Sequence, residues 1–307
     1  SKLNFASESQ FAFAMTDTPT SLSNISCHIV CKVDPASTNQ NVPISTVYSD
    51  GGFELHVGKG GSGDVSYLPK FKFRNQQAIT RVSNFADGLW HHYCGTYDGT
   101  TIKLYVDRLL MASFPASGLG SYSLDKLLLN HTPIVGGVGG NLQVAAAQLF
   151  NLAHTQEEVD QQGDWLITEM AAKGISMANL NNVVAYEGDS ITIDVNNYGK
   201  QALGYMSTSV YAENFATVGA QITTLNSRKA TVKAWFNQAK FAGKNKILSL
   251  MLGANDLQGA GMDVAAWVAT VKAYCLEMKT DVSGLTILFH TCLPNPVGSQ
   301  KTNRAIA

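Results

Sequence analysis

The stretch DGLWHHYCGTYDGTTIKLYVDRLL, residues 87–110, decides the fold of the first half of this 307-residue chain. It holds two short runs of aromatic, apolar and β-branched residues, joined by the turn sequence YDGT. Such runs on either side of an Asp-Gly turn are typical of an antiparallel β-hairpin. The stretch therefore predicts two paired strands.

The same pattern of short strand-like runs and turns extends over the first 150 residues. Further strand-like runs are SCHIVCKV (26–33), GGFELHVG (51–58) and LQVAAAQLF (142–150), and glycine-rich turns such as GKGGSGD and GGVGG separate the runs. No helical period interrupts them. Many short strands at this spacing favour an antiparallel sandwich or jelly roll.

The pattern changes at Thr155. Thr155 and Glu158 have the spacing of a capping box, which predicts a helix from about residue 156 to about 173 that ends at Gly174. We therefore expect three segments: a β-sandwich over residues 1–155, a connecting helix and linker over 156–180, and a second domain over 181–307.

The second domain alternates strand and helix. Strand-like runs are NVVAY, TSVYAE, ILSLMLG and LTILFHTC, and the helical stretches between them include SRKATVKAWFNQAKFA (227–242) and DVAAWVATVKAYCLEM (263–278). Strand and helix in short alternation predict a parallel sheet in a three-layer α/β domain. Ligands of such sheets bind at the carboxyl ends of the strands.

Three residues with suitable chemistry follow these strand ends. Ser190 follows the first strand, Gly219 the second and Asn255 the third. A serine nucleophile needs donors for the oxyanion that its attack creates, and the Gly219 N–H, the Asn255 amide and the Ser190 N–H supply them. The structural alternative is a helix cap at Ser190, a turn at Gly219 and a cap at Asn255. A shared role in binding the oxyanion explains why all three residues occur at strand ends, whereas separate cap and turn roles do not explain the set.

These residues carry a family resemblance. GDSIT (188–192), Gly219 in NFATVGA and GAND (253–256) resemble the first three sequence blocks of the SGNH, or GDSL-type, hydrolases. The resemblance covers roughly residues 180–300. It implies a flavodoxin-like domain that hydrolyses esters, commonly of acylated sugars or lipids. Ser190 would be the nucleophile, with Gly219 and Asn255 as oxyanion donors.

One sequence motif of that family, the one that contains its general base, has no counterpart in this chain. Its general base is a histidine that follows an aspartate by three residues, and this chain contains no Asp-x-x-His. We therefore expect the hydrolase domain to be incomplete at its C-terminus and the chain to have little esterase activity by itself. His290, at the end of the fourth strand, is expected to have no catalytic duty.

The first half resembles a second family. Residues 87–110 are similar to the W-H-H-x-x-x-x-Y-D-G and Y-V-D-G signature of LamG-like, concanavalin A-like jelly rolls, and residues 139–159 to their last strand and capping helix. Arg108 stands where that family usually has a turn glycine. The resemblance implies binding of glycans or proteins, with calcium in some members. Trp90 and Tyr97 are expected in the core, and we assign no metal site and no cofactor.

The composition excludes some functions. The net charge of -1 provides no attraction for nucleic acid, and no apolar run is long enough to span a membrane. No signal peptide is visible in the first 15 residues. Cys27 and Cys31 lie four apart in a strand-like run, which indicates buried free thiols rather than a disulfide.

Two functions fit these patterns. The first is a serine esterase for acylated carbohydrate, deacetylases included, with a lectin-like glycan-binding module. The alternative is a phage tail or cell-surface protein for structure or receptor binding, in which the hydrolase-like domain is an inactive scaffold. The expected partners are a glycan or acylated polysaccharide and a homo-oligomer or virion assembly. Either function places the chain outside the cell or on a virion surface.

Overall fold

The structure, a computed structural model, divides the chain into two units, Ser1–Asn179 and Leu180–Ala307. It describes residues 3–5, 11–14, 20–37, 41–46, 52–58, 68–80, 85–124, 126–130, 141–189, 210–258 and 263–290.

The first unit is a β-sandwich. Its strands are β1 (Leu3–Phe5), β2 (Phe11–Ala14), β3 (Thr20–Leu22), β4 (Ile25–Val33), β5 (Ile44–Ser45), β6 (Phe53–His56), β7 (Lys70–Phe73), β8 (Gln76–Ile79), β9 (Trp90–Tyr97), β10 (Thr101–Val106), β11 (Leu109–Pro115), β12 (Tyr122–Leu124), β13 (Lys126–Leu129) and β14 (Leu142–Phe150). One six-stranded sheet has the order β1-β14-β4-β9-β10-β11, and the other the order β2-β13-β5-β6-β7-β8. The pairings are antiparallel, as the sequence predicts, and β12 pairs with β3 separately.

Strand β9 is buried on both of its faces. Its odd-numbered residues face the second sheet, where Tyr97 stacks on Phe73 with ring centroids 4.4 Å apart. Gly95 allows the sheets to approach, because a Cβ there would lie 2.1 Å from Cδ2 of Phe71. Trp90, on the other face, is only 8% exposed. Trp90 and Tyr97 are therefore core residues, as expected.

A helix, α1 (Gln156–Ala172), covers the outer face of the first sheet. The predicted capping box of Thr155 and Glu158 is present, and Gly174 follows the helix at a φ of 72°. The buried residues of α1 lie at the spacing of one helical face and are Val159, Gly163, Leu166 and Met170. Leu166 and Met170 pack with Val30 and Trp90. The helix thus belongs to the first unit. Cys27 and Cys31 of β4 are buried free thiols, and their pairing with Gly95 and His91 places them on the face toward the second sheet.

The side chain of Arg108 packs against the helix at Gly163. The β10–β11 turn places Asp107 and Arg108 at φ values of 49° and 72°, a conformation that favours glycine. The Arg108 side chain lies across Gly163 of α1, so that a Cβ on Gly163 would be 2.5 Å from Cγ of Arg108, and its guanidinium pairs with Asp164. The arginine in the turn therefore requires the glycine in the helix.

A buried ion pair lies inside the first unit. His91 Nδ1 is 2.8 Å from Asp107 Oδ2, and His91 Nε2 is 3.1 Å from Asp87 Oδ2. Burial alone would lower the pKa of His91, but the charges and hydrogen bonds of Asp107 and Asp87 raise it to about 9. His91 is therefore held as a cation at neutral pH.

A second set of histidines forms a hydrogen-bonded cluster. His28 Nδ1 lies 3.0 Å from His92 Nε2, and His28 Nε2 lies 2.8 Å from His154 Nδ1. Burial, with smaller effects of His92 and His154, lowers the pKa of His28 to about 2. Burial also lowers the pKa of His154.

The second unit is built on a parallel sheet. Its strands are β15 (Asn182–Gly188), β16 (Tyr211–Asn214), β17 (Asn245–Met251) and β18 (Leu285–His290), and their order is β16-β15-β17-β18. Its helices are α2 (Ile222–Phe236), the short α3 (Ala254–Gln258) and α4 (Val264–Asp281), with a 3-10 turn over Ala239–Phe241. Right-handed crossovers place α2 and α4 on the same face, where they are in contact. The predicted third layer falls on residues 190–209, outside the described residues.

Helix α2 differs from the prediction over 227–242. It begins at Ile222 because the buried Asp256 accepts a hydrogen bond from the Ile222 N–H at 2.9 Å, a cap that the local sequence does not reveal. It ends at Phe236, where Asn237 follows as the C-cap residue. Helix α4 matches its predicted start, since Asp263 accepts from the Ala266 N–H at 3.1 Å.

We expect residues 1–179 to fold alone, because α1 and both sheets lie within this unit. The fragment should give a β-type circular dichroism spectrum and one cooperative unfolding transition. The matched control is residues 1–155, which lack α1 and expose Val30 and Trp90. This shorter fragment should bind a hydrophobic dye and unfold at lower denaturant. Equal stability of the two fragments would show that α1 is not part of the sandwich.

We expect the stability of fragment 1–179 to peak near pH 6.5. The folded pKa of His91 lies above its unfolded value of 6.5, so its contribution is complete below pH 6.5 and is lost as the pH rises to about 9. The folded pKa of His28 lies below 6.5, so its contribution is lost as the pH falls. Each effect is on the order of 3 kcal/mol or more over its full range.

Denaturant unfolding at a series of pH values measures both effects. His91→Gln should flatten the alkaline side of the profile, and His28→Gln should flatten the part just below pH 6.5. An unchanged alkaline slope in His91→Gln would contradict the assignment of the buried cation.

Candidate functional site

The candidate site lies at the carboxyl edge of the parallel sheet. The connection that leaves β15 leads to β16 on one side, and the connection that leaves β17 leads to β18 on the other side. The two crossovers therefore diverge between β15 and β17. Open α/β sheets bind their ligands at such a point. Asp189 follows β15 and is 1% exposed, and Asn255 follows β17 in α3. Ser190, the expected nucleophile, lies just outside the described residues.

Gly219 lies in a turn between β16 and α2. Its φ of 71° is in the left-handed region, which favours glycine. A Cβ there would meet no atom within 4 Å, so the turn is open on this side. The bond from the Ala220 N–H to the Thr217 carbonyl, 3.2 Å long, closes the turn around Gly219.

Asn255 connects the strand ends. Its Nδ2 donates to the Ala220 carbonyl at 3.2 Å and to Asp189 Oδ2 at 3.4 Å. Its own carbonyl lies 3.4 Å from Nε2 of Gln221. The structure therefore brings Asn255, the Gly219 turn and the residue before Ser190 together, while the amide N–H groups of Asn255 are directed at protein oxygens.

Asp256 fixes the start of α2 against α3. It is fully buried, and its Oδ1 accepts the Ile222 N–H bond. Burial raises the pKa of Asp256, the Ile222 N–H opposes this, and the charge of Asp189 adds to the rise. The sequence motif GAND contains this residue, but sequence reasoning used only the asparagine before it.

A buried ion pair lies beside the strand end. Arg228 of α2 donates from Nε to Glu187 Oε2 at 2.9 Å, and its Nη2 also bonds this carboxylate. Nη1 donates to Thr217 Oγ1 at 2.7 Å, and Nη2 lies 3.3 Å from the Gly188 carbonyl. Burial raises the pKa of Glu187 to about 7, although Arg228 acts in the opposite direction. Sequence reasoning missed this pair, since 41 positions separate its members.

His290 is engaged with a different serine. Its Nε2 lies 3.0 Å from Oγ of Ser249, which is 4% exposed in β17. Burial lowers the pKa of His290. Ser190 lies outside the described residues, so the expectation that His290 has no catalytic duty stays a prediction.

The first unit carries two surface depressions. A groove of about 220 Å³ is lined by the ends of β4 and β14 and includes Lys32, Asp34, Gly88, Asn141 and Gln143. Asn141 donates to Asp34 at 2.7 Å, which holds the two sides of the groove together. A larger depression of about 530 Å³ lies along the end of α1 beside Ile167, Ile175 and Met177.

Among the described residues, no group of three or more His, Cys, Asp or Glu side chains is arranged to hold a metal ion. Asp87 and Asp107 bracket His91, and Asp98 accepts from the Thr100 and Thr101 N–H groups. None of the described helices combines the length and hydropathy that a membrane span requires.

Some solved structures are similar to part of this chain, at low identity and low TM-score. The native heptameric SAP-like pentraxin of Limulus polyphemus is 14% identical with a TM-score of 0.41, over 53% of this chain and 81% of the pentraxin chain. The serotype D botulinum neurotoxin ligand binding domain, solved in complex with N-acetylneuraminic acid, is 15% identical with a TM-score of 0.40. That match covers 54% of this chain and 42% of the neurotoxin chain. Similarity at this level identifies no ligand and no activity for this chain.

A sequence family matches the first unit. The search of curated proteins found no match. The profile of the concanavalin A-like lectin/glucanases superfamily matches residues 7–160, which is half of the chain and includes every strand of the sandwich from β2 to β14. The chain therefore belongs to the concanavalin A-like lectin/glucanases superfamily.

Proposed function

We propose that the second unit is the nucleophile-bearing domain of an SGNH-type serine esterase for acylated carbohydrate, deacetylases included, and that the first unit binds the glycan. One observation carries the esterase proposal. The Gly219 turn, Asn255 and the Asp189 strand end meet at the point where the crossovers of the parallel sheet diverge. The sequence places Ser190 directly after Asp189.

The chemistry proceeds through an oxyanion. Oγ of Ser190 attacks the ester carbonyl, and the carbonyl oxygen gains a negative charge in the tetrahedral intermediate. The N–H groups of Ser190 and Gly219 and Nδ2 of Asn255 bind that oxygen. The 3.4 Å contact of Asn255 with Asp189 is long, and the oxyanion replaces it.

The proton on Ser190 needs a base. The sequence has no Asp-x-x-His, and Nε2 of His290 is hydrogen-bonded to Ser249. A serine without a base loses most of its catalytic advantage. We therefore expect slow turnover by the 307-residue chain, unaffected by His290→Ala. A histidine supplied by another polypeptide should raise this turnover.

Covalent labelling tests the nucleophile without requiring turnover. A fluorophosphonate should modify Ser190 at alkaline pH, as measured by intact mass and peptide mapping. Ser190→Ala should abolish the adduct, and Asn255→Ala should slow its formation on the order of a hundredfold, because one oxyanion donor is lost. The matched control is Ser227→Ala on α2, whose hydroxyl bonds the Thr224 carbonyl. Labelling of the Ser190→Ala protein at the wild-type rate would refute the esterase proposal.

The glycan proposal is supported by the superfamily of the first unit and by the polar side chains that line the groove beside β4. Its amide and carboxylate groups are the kinds of partner that sugar hydroxyls bond. Fragment 1–179 should therefore bind acylated polysaccharide on a glycan array. Asn141→Ala should weaken the binding at least about tenfold, the cost of about one hydrogen bond, while Gln161→Ala on the exposed side of α1 should not. A fragment that binds no glycan would remove the lectin role.

The two experiments together separate the rival functions. Glycan binding without labelling of Ser190 would favour a receptor-binding protein of a virion or cell surface, with the second unit as an inactive scaffold. Labelling without glycan binding would leave the esterase and remove its targeting module.

A further inference from the structure

We infer that Arg228 is a positioning residue that holds the Gly219 turn at the correct distance from the end of β15. This inference rests on the proposed function, because the turn matters for catalysis only if the Gly219 N–H binds an oxyanion. Among the described residues, Arg228 bonds Glu187, Gly188 and Thr217 rather than Gly219 or Asn255, so it acts on the turn through Thr217.

The contacts of Arg228 join two separate segments. On one side it bonds the Glu187 carboxylate and approaches the Gly188 carbonyl, which end β15 two residues before Ser190. On the other side it bonds Oγ1 of Thr217, two residues before Gly219. One guanidinium therefore spans the gap between the nucleophile's strand and the turn with the backbone donor.

The backbone also joins these segments, since the Phe215 N–H donates to the Tyr186 carbonyl at 2.8 Å, but its bond nearest the turn is longer. The Thr217 N–H donates to the Gly188 carbonyl at 3.2 Å, which is at the long end of the usual range. The Ala220 N–H donates to the Thr217 carbonyl at the same distance. Thr217 is therefore the base of the turn, and a displacement of Thr217 carries Gly219 with it.

The shape of arginine suits this task. A guanidinium presents several N–H donors in a rigid plane, so Nε and Nη2 can bind a carboxylate while Nη1 binds a third oxygen. The ammonium of lysine has no such plane. The other cations of α2 face away from the site, since Lys229 and Lys233 pair with Glu277 of α4. Within this helix only Arg228 is directed at the strand end.

The burial of Glu187 makes the contact specific. Glu187 is fully buried, and a carboxylate in that position is costly without a partner. Arg228 is thereby held against the end of β15, and its remaining donor is directed at Thr217 at 2.7 Å. A misplaced donor should lower the rate of the chemical step rather than the affinity for the reagent, because the oxyanion exists only after attack.

Fluorophosphonate labelling kinetics separate these two quantities. Thr217→Val keeps the Glu187 pair and removes only the bond to the turn, and it should lower the maximal labelling rate of Ser190 about tenfold with unchanged reagent affinity. Arg228→Gln should lower it further, and Arg228→Lys should not restore it. The matched control is Lys229→Gln, the neighbouring cation on α2, which should label at the wild-type rate.

Amide hydrogen exchange provides a readout that is independent of the esterase. Amide exchange at position 217 and at Ala220 should accelerate in Thr217→Val and in Arg228→Gln, while the amides in the interior of β17 remain protected. If wild-type Ser190 is not labelled, the proposed function fails and the exchange data still report on the turn. Unchanged exchange at Thr217 and Ala220 in both variants would overturn the inference, as would equal loss of labelling in Lys229→Gln.

Discussion

Burial of β9 on both faces is the constraint on which the first unit depends. A strand of a two-layer sandwich ordinarily exposes one face to water, but here every residue of Trp90–Tyr97 is buried. The inner face needs the second sheet, and it needs Gly95 to let Phe71 approach. The outer face needs α1, which supplies Leu166 and Met170 against Trp90. The sandwich and the helix are therefore one cooperative structure, and the helix is more than a linker.

The second unit depends on a different constraint, which is the divergence of the crossovers around β15. Parallel strands gather their carboxyl ends at one edge, and the divergence leaves a crevice there that helices do not fill. Three buried carboxyl groups cluster at this edge. Asp189, Asp256 and Glu187 are all nearly inaccessible, and each is bonded to a group that shapes the edge.

Sequence predicts the parts of both units that depend on local pattern. The hairpin over residues 87–110, the capping box at Thr155 and the four parallel strands follow from alternation, turn chemistry and capping, which act over a few residues. The proximity of the Gly219 turn to Asn255 follows from the geometry of parallel sheets. The groups that sequence reasoning missed are partners across long separations. Neither the pairing of Glu187 with Arg228 nor the bracketing of His91 by two aspartates has a local signature.

The contact between Arg108 and Gly163 links two positions that lie 55 residues apart in the sequence. A relative that carries glycine in the β10–β11 turn has no arginine stem over the helix, and its helix position is then open to alanine or a larger residue. A relative that keeps the arginine must keep the small residue. The two positions should therefore vary together among relatives. A chimera that combines the arginine turn of one relative with a helix that carries a larger residue at the glycine position would bring the two side chains into steric conflict.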